Sequence, residues 1–313
     1  MFLSCGDSLY DMFLEPDSTD NLRVVVNGVT GGSPMNVALG LSRMGHSSAY
    51  FTKLSNDVFG QGLSQFLKDN SVDTTLCLPT ELNTTLAFII KQADGSANYS
   101  FYIDGTADVS VDVSELPAQL PDAIRVLHFG SYSTAVGDVA DTLKALANRE
   151  HKNRFISYDP NLRLAIEPDL DIWRASFKTF ASTATLIKAS DEDIEGLFGK
   201  NNEEKFVTEC FDHGASVVYI TRGAEGASVY TSDSKQVTAK SQPVEVKDTV
   251  GAGDTFQASI LHWMAANNHI ADDGSFSGTV DAKASLEFAL KAAAVTCSRF
   301  GADLPTLDEV INS

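Results

Sequence analysis

The sequence predicts a doubly wound α/β fold, with helices on both faces of a mostly parallel sheet and a smaller β-sheet projecting from it. After about residue 110, short apolar runs alternate with helical patterns, whereas earlier strand-like pieces follow one another without helices of their own. The chain has 313 residues, of which 43% are hydrophobic and 21% charged. It is therefore long enough for one large core with an appendage.

The predicted strands of the large sheet are rich in Val, Ile, Leu, Phe and Tyr, as is typical of strands buried on both faces. They lie at residues 124–129, 155–158, 185–187 and 217–221. Helical patterns lie between them at residues 139–149, 172–180 and 203–211. This alternation favours a parallel sheet.

The early part of the chain predicts three further strands, at residues 23–27, 86–91 and 98–103, with a hairpin turn at 93–96. These pieces do not alternate with helices of their own as the later strands do. We therefore expect a small antiparallel sheet, with two ordinary edge strands of the large sheet as the alternative.

The charge balance is strongly acidic, since 42 Asp and Glu residues against 23 Lys and Arg give a net charge of −19. Such a surface repels phosphate backbones and anionic lipids, so neither nucleic acid nor membrane is an expected partner. The N-terminus lacks the basic start of a signal peptide. The four cysteines are scattered without C-x-x-C spacing, which favours reduced thiols in the cytoplasm.

The first informative helix start is the segment Gly31–Gly45, in which two glycines form a tight turn before a helix. Ser33 is the predicted N-cap, and Pro34 suits the first helical position. Asn36 lies in the first turn, where its amide suits a polyhydroxylated ligand close to bare backbone. A capped strand-to-helix turn that binds nothing is the alternative.

The second informative helix start is Asp248–Phe256, where Gly251, Ala252 and Gly253 leave the first amides of a helix unobstructed. Free amides at the positive end of a helix form an anion site. Asp254 follows directly, and favourable interaction with the helix dipole alone would also explain a carboxylate there. A simple cap, however, does not need three small residues. The combination predicts phosphoryl transfer, with the carboxylate taking the proton of an attacking hydroxyl.

Other catalytic templates do not fit the sequence. There is no G-x-x-x-x-G-K-[ST] segment of P-loop kinases, and Phe256 occupies the third glycine position of the dinucleotide fingerprint. No H-E-x-x-H or G-x-S-x-G motif occurs, and the six histidines show no metal-ligand spacing.

At these two segments the sequence resembles the ribokinase-like, or PfkB-type, family of carbohydrate kinases. Residues 31–45 are similar to its N-terminal motif and residues 248–256 to its C-terminal motif, and the resemblance covers essentially the whole chain. It implies one ribokinase-like, Rossmann-like α/β domain over residues 1–313. A small β lid over the sugar would comprise about residues 12–30 and 84–108.

The resemblance also implies roles for individual residues. Asp254 would be the catalytic base, with the anion hole formed by Gly251, Ala252 and Gly253. The sugar ligands would be Asp11, Gly31, Gly32 and Asn36. For Asp11, a turn residue after a strand is the alternative.

The nucleotide and metal ligands match the family more loosely. The nucleotide loop T-x-G-x-x-G would supply Thr221, Gly223 and Gly226, with a plain hairpin turn as the alternative. Ser190 and Asp193 stand where the family often shows N-x-x-E, which is tied to Mg²⁺ and phosphate; a helix N-cap at Ser190 is the competing interpretation. A monovalent cation such as K⁺ would be held by Asp248 and by the carbonyls of Val250 and Gly301. The implied cofactors are thus ATP, Mg²⁺ and K⁺.

The substrate is indicated by two weaker similarities. Residues 157–163 resemble the D-x-N-x-R stretch of fructokinases and 2-keto-3-deoxygluconate kinases, and residues 101–108 resemble a fructokinase lid-to-core segment. Arg163 would lie at the carboxyl end of a strand, where it reaches substrate or phosphate, or else forms a surface ion pair. We expect an ATP-dependent fructokinase acting on the 6-hydroxyl.

Several alternatives remain open. They are ribose, a keto-deoxy acid and a nucleoside as substrate, and a non-catalytic sugar sensor, which the intact Gly-Ala-Gly-Asp run disfavours. A homodimer is expected by analogy, because a small exposed sheet has edges and an apolar face to cover.

Overall fold

A nine-stranded sheet lies at the centre of the part of the chain that the computed structural model describes, residues 1–14, 24–91, 97–233 and 235–313. The strands are β1 (Phe2–Cys5), β2 (Leu9–Leu14), β3 (Val26–Gly31), β4 (Ser48–Phe51), β5 (Lys53–Ser55), β6 (Val72–Asp73), β7 (Leu78–Thr80), β8 (Thr85–Lys91), β9 (Ala97–Tyr102), β10 (Val126–Gly130), β11 (Phe155–Asp159), β12 (Leu186–Ser190), β13 (Val217–Thr221), β14 (Ala227–Thr231) and β15 (Gln236–Ala239). The helices are α1 (Ser33–Arg43), α2 (Val58–Asp69), α3 (Gly137–Glu150), α4 (Leu170–Ala181), α5 (Asp191–Phe198), α6 (Glu203–Asp212), α7 (Ala252–Ala266), α8 (Ala282–Cys297) and α9 (Leu307–Asn312).

The large sheet has the strand order β15-β14-β13-β12-β11-β10-β1-β4-β6. The strands from β13 to β6 pair in parallel, and β14 and β15 extend the sheet with antiparallel pairs. From β1 the chain first builds toward β6 and then returns to build in the other direction from β10. The predicted doubly wound sheet is therefore confirmed, and its order reverses beside β1, where open α/β sheets bind ligands.

Both faces of this sheet are covered by helices. Neighbouring residues of β1 show the alternation, since Phe2 packs in one cluster with Val37 of α1 and Ile260 of α7, whereas Leu3 packs in another with Leu143 of α3. All five side chains are at most 2% exposed. Each buried side chain of this size contributes about 1.5–3 kcal/mol, so the two cores fix the strand ends that carry the site.

A separate four-stranded sheet has the order β3-β2-β8-β9. The predicted small sheet is thus confirmed, but the expectation that it is antiparallel throughout is wrong, because β2 and β8 pair in parallel. The strand predicted at 23–27 instead runs from Val26 to Gly31 among the described residues. The predicted hairpin turn at 93–96 lies outside the described residues.

Candidate functional site

Two cavities meet at the N-terminus of α7. The first, here called the polar cavity, has a volume of about 580 Å³ and is lined by charged and amide side chains that include Asp11, Asn36, Arg163 and Asp254. The second, here called the apolar cavity, has a volume of about 570 Å³ and is lined by side chains such as Val246, Phe256, Leu290 and Ala293. Thr249 and Gly253 line both cavities. The turn that contains Thr249 and Gly253 separates the two cavities, so a group bound in one cavity can contact a group bound in the other.

The first amides of α7 are free to bind a ligand. Gly251 is the N-cap, has a φ of 79° and provides no side-chain cap. The amide of Ala252 donates to the carbonyl of Thr249 at 3.2 Å. The amides of Gly253 and Asp254 have no hydrogen-bond partner among the described residues. Two donors and the positive helix end thus face the junction of the two cavities.

Asp254 is held in place from α1. Its Oδ1 accepts a hydrogen bond from the Ser33 hydroxyl at 2.6 Å, and its Oδ2 accepts one from the Asn36 amide at 2.8 Å. The Ser33 hydroxyl in turn accepts from the Asn161 amide at 2.8 Å. The carboxylate is 8% exposed, so it is oriented and largely shielded from water.

The prediction that Ser33 caps α1 is wrong. The N-cap is Gly32, with a φ of 116°, and Ser33 is the first helical residue. A Cβ on Gly32 would lie 2.4 Å from the carbonyl oxygen of Asp7. Because only glycine fits this close approach, the helix begins one residue earlier and the serine hydroxyl is available to Asp254.

The structure gathers the predicted sugar ligands at the polar cavity, which Asp11, Gly32, Asn36 and Arg163 line. Gly31 does not line it but makes room for Asp11, since a Cβ there would lie 2.5 Å from Asp11 Oδ2. Asp11 lies in the middle of β2, so its interpretation as a turn residue is wrong.

The charges around the polar cavity are coupled. Burial raises the pKa of Asp11 to about 6; Arg163 opposes this rise and Asp254 adds to it. Arg163 itself forms no ion pair within the described residues, and its Nη1 donates to Asn161 Oδ1 at 2.5 Å. Its guanidinium is therefore turned onto its own loop at the cavity wall.

The predicted nucleotide loop borders the apolar cavity, which Thr221, Gly223 and Gly226 line. The loop joins the antiparallel strands β13 and β14, so it is at the same time the hairpin turn of the alternative interpretation. A Cβ on Gly226 would lie 2.1 Å from the carbonyl oxygen of Ala239, which explains a glycine with a φ of 103°.

Ser190 and Asp193 form a capping box at the start of α5. Asp193 Oδ2 accepts from the amide and hydroxyl of Ser190 at 2.9 and 2.7 Å, and Oδ1 accepts from the amide of Leu162 at 2.8 Å. Ser190 lines neither cavity. The helix-cap interpretation therefore describes the local structure, and metal binding by Asp193 stays a prediction.

Asp248 connects the segments predicted to hold a monovalent cation. Its Oδ1 accepts from the amide of Val250 and its Oδ2 from the amide of Gly301, both at 3.1 Å. The three predicted residues are therefore neighbours, connected by hydrogen bonds from the amide nitrogens of Val250 and Gly301 to the Asp248 carboxylate. Cation binding through the carbonyls stays a prediction.

Sequence reasoning missed three charged residues at the polar cavity, Asp7, Lys188 and Glu192. Asp7 is 1% exposed, its Oδ1 has no partner among the described residues, and burial, with Asp108 adding, raises its pKa to about 7. Lys188 is 4% exposed and pairs with Asp159 at 2.7 Å. A lysine inside an otherwise apolar buried strand was the signal that could have been followed.

Comparisons with known proteins agree with this geometry. Residues 3–309 match the family described as "pfkB family carbohydrate kinase". The chain is 39% identical over 268 residues to a fructokinase of Rhizobium leguminosarum bv. trifolii, covering 86% of this chain and 81% of the relative. It is 32% identical over 286 residues to fructokinase-2 of Solanum lycopersicum, covering 90% and 85%.

Solved structures are similar over nearly the whole chain. The crystal structure of a fructokinase from Xylella fastidiosa with bound ATP superposes with a TM-score of 0.87 at 25% identity, covering 99% of this chain and 97% of that one. An aminoimidazole riboside kinase from Salmonella enterica has a TM-score of 0.81 at 23% identity, with 99% and 98% covered, which supports the fold alone. None of the described helices is long and apolar enough to cross a bilayer.

Proposed function

The chain belongs to the pfkB family of carbohydrate kinases and is an ATP-dependent sugar kinase, and from this premise we propose that its substrate is fructose, phosphorylated on the 6-hydroxyl. One observation carries the assignment of the reacting groups. Asp254 and the free amides of Gly253 and Asp254 lie where the polar and apolar cavities meet. The sugar occupies the polar cavity, and ATP occupies the apolar one.

The two substrates match the two linings. The adenine base packs against Phe256, Leu290 and Ala293, whereas Thr221 and Gly223 of the nucleotide loop border its polar edge. The triphosphate extends from the nucleoside past Thr249 and Gly253, which line both cavities, toward the N-terminus of α7. This places the γ-phosphoryl group at donors that are aligned before the substrate arrives.

The reaction is a direct displacement. The 6-hydroxyl oxygen attacks the γ-phosphorus, the bond from phosphorus to the bridging oxygen breaks, and its electron pair leaves with ADP. The hydroxyl proton passes to Asp254, which retains lone pairs beyond those used by Ser33 and Asn36. The amides of Gly253 and Asp254 stabilise the charge on the transferred oxygens.

The remaining hydroxyls of fructose meet acceptors and donors of the polar cavity. Asp11 accepts from them, Asn36 does both, and Gly32 lets them approach the backbone. A keto-deoxy acid is less suited, because its carboxylate would meet Asp7, Asp11 and Asp254 with Arg163 turned onto its own loop. The acidic lining thus favours a neutral sugar.

Mg²⁺ is proposed to enter as the complex with ATP. Asp193 Oδ2 already accepts two hydrogen bonds, whereas Oδ1 accepts one and retains a lone pair, so Asp193 would hold the ion through a bound water. Mg²⁺ usually keeps several waters and binds substrate phosphates. K⁺ fits the oxygen chemistry of Asp248 and the carbonyls of Val250 and Gly301, where it would hold two neighbouring segments together.

A homodimer in the cytoplasm is the proposed state. The small sheet exposes Ile90 and Tyr102, which are 41% and 63% exposed, on the face opposite to Asp11, and this lid surface suits a second copy. The four cysteines are free, as in a reducing compartment. Light scattering coupled to size exclusion tests the dimer, and a monomeric mass at micromolar protein would contradict it.

An assay of ADP release tests the function. Purified protein with ATP and Mg²⁺ is offered fructose, ribose, 2-keto-3-deoxygluconate and adenosine, with and without K⁺. Fructose is expected to give the highest kcat/KM. A higher value for another sugar or for adenosine would overturn the substrate, and no turnover with any of them, despite retained sugar binding, would favour a sensor.

A further inference from the structure

Lys188 is a buried cation at the polar cavity to which the mechanism above gives no task. It lies in β12, is 4% exposed and lines the cavity. Its Nζ donates to Asp159 Oδ2 at 2.7 Å, the only hydrogen bond it makes among the described residues. An ammonium group has three N–H donors, so two of them are available to a ligand.

The ammonium group lies against the start of α7. A Cβ built on Gly253 would be 3.2 Å from Lys188 Nζ, so the glycine leaves room for the cation beside the backbone. The N-terminus of a helix carries a partial positive charge, and a cation is unfavourable there. The free amides of Gly253 and Asp254 add to the positive potential at this place. Lys188 and these two amides therefore supply positive charge and hydrogen-bond donors that an anion can meet at this point, beside the Asp254 carboxylate.

The ion pair with Asp159 does not by itself explain Lys188. Replacing a buried pair with apolar side chains is often neutral or stabilising, and the residues next to the pair along the strands, Tyr158, Ile187 and Ala189, are buried. Asp159 Oδ1 also lacks a hydrogen-bond partner in the described part of the chain. Burial opposes the charge of Lys188, but Asp159, Asp193 and Asp254 outweigh burial and raise its pKa. The lysine is therefore a permanent cation.

We propose that Lys188 contacts the γ-phosphoryl group of ATP during transfer and is a catalytic residue, with Asp159 as the residue that positions it. The proposal rests on the proposed function. As the bond from the 6-hydroxyl oxygen to phosphorus forms and the bond to ADP breaks, Lys188 stays protonated and stabilises the phosphoryl oxygens. The proton still goes to Asp254, so one cation and two amides surround the transferred group.

The first test is Lys188→Met in the full-length protein. Loss of one preorganised donor is expected to lower kcat by about 10²–10³-fold, with the KM for fructose within about threefold. The matched control is Lys53→Met, because Lys53 is also buried, at 9% exposed, and pairs with Glu115 at 2.6 Å away from both cavities. The control is expected to keep kcat, and a Lys188→Met enzyme with kcat within threefold of wild type would overturn the proposal.

The second test separates catalysis from folding. Lys188→Met leaves Asp159 unpaired, and the double variant Lys188→Met/Asp159→Asn removes that charge. The double variant is expected to regain thermal stability but not kcat, and recovery of kcat would show a merely structural role.

Calorimetry provides a readout independent of turnover. Lys188→Met is expected to bind a non-hydrolysable ATP analogue with an imido β–γ bridge at least tenfold more weakly and ADP within twofold of wild type. Equal losses for both nucleotides would overturn the contact. Wild type that binds both nucleotides but phosphorylates no sugar would instead refute the proposed function.

Discussion

Helices α2 and α7 begin in opposite ways. In α2, Asp57 is the N-cap. Its Oδ1 accepts a hydrogen bond from the amide of Gly60 at 2.7 Å, and its Oδ2 accepts one from the amide of Thr84 at 2.8 Å. In α7, Gly251 provides no side chain, and the amides of Gly253 and Asp254 remain open to the cavities. Of the four amides that every helix start leaves without an intrahelical partner, Asp57 binds one in α2, whereas two are left to a ligand in α7.

The difference has an energetic side. A side-chain cap stabilises a helix by about 0.5–2 kcal/mol, which α7 forgoes. Its packing replaces that contribution, since Phe256, Ile260 and Met264 are at most 2% exposed. An uncapped helix start that is firmly packed is thus a better marker of a site than the glycines alone.

The carboxylates of the two regions also titrate in opposite directions. Burial would raise the pKa of Asp57, but hydrogen bonds from Gly60, Thr84 and Ser55 outweigh it and lower the pKa. At the polar cavity, burial dominates and raises the pKa of Asp11 and Asp7. Capping favours the charged form of a carboxylate, whereas burial disfavours it.

The largest effect is expected when one carboxylate oxygen is replaced by an amide nitrogen at the start of each helix. Asp254→Asn is expected to lower kcat about 10²–10⁴-fold, because the amide cannot accept the hydroxyl proton. Asp57→Asn is the matched control and is expected to keep kcat, since Asn is an equally good N-cap. Steady-state kinetics with fructose measure both, and calorimetry should show that Asp254→Asn still binds the sugar. Activity of Asp254→Asn within tenfold of wild type would refute the base.

The second test alters the backbone. Gly251→Ala places a Cβ 2.7 Å from the Cβ of Ala302 at a φ of 79°, which displaces the start of α7 and its amides. Such a displacement is expected to lower kcat about 10–100-fold. Gly45→Ala shares the positive φ, 85°, with nothing within 4 Å of the added Cβ, so it should lose only about 1–2 kcal/mol of stability. Equal kcat for the two variants would contradict the anion hole.

The third test concerns the capped helix. Asp57→Ala removes the cap of α2 and is expected to lower the free energy of unfolding by about 1–2 kcal/mol with kcat within twofold of wild type. Urea denaturation measures the change. A loss of kcat larger than the loss of folded protein would mean that α2 also serves the reaction.

The smallest effect concerns pH. Because folding raises the pKa of Asp11 from 3.8 to about 6, its contribution to stability is full below pH 4 and is lost as the pH rises through 6. Asp11→Asn is therefore expected to gain at most about 2 kcal/mol relative to wild type between pH 4 and 7, and less where water screens the partly exposed carboxylate. Asp57→Asn should do the reverse at lower pH, because the pKa of Asp57 lies below 3.8: it should lose stability relative to wild type as the pH rises to about 4 and change little above that. Parallel urea curves for wild type and Asp11→Asn across this range would contradict the raised pKa.

The sequence predicted what local chemistry determines. The glycine run before Asp254 and the apolar strands of the large sheet are readable without knowledge of their neighbours. By contrast, β2 escaped prediction because Leu9–Leu14 becomes a strand only by pairing with β3 and β8.

Two site features depend on contacts between distant parts of the chain. Ser33 lost its predicted cap role because the carbonyl of Asp7 admits only glycine at position 32. The place of Lys188 follows from the packing of β12 against the start of α7, far along the chain at Gly253. No periodicity in the sequence indicates these long-range contacts. For Lys188, the one local indication is a charged residue between buried apolar residues of a strand.

The wall that the two cavities share at Thr249 and Gly253 has a stereochemical consequence. The sugar and ATP lie on opposite sides of one turn, so the phosphoryl group passes from ATP to the sugar in a single displacement. No phosphoenzyme intermediate forms. ATP made chiral at its terminal phosphorus with oxygen isotopes should therefore yield a sugar phosphate of inverted configuration, and initial-rate plots should intersect because both ligands must be present together.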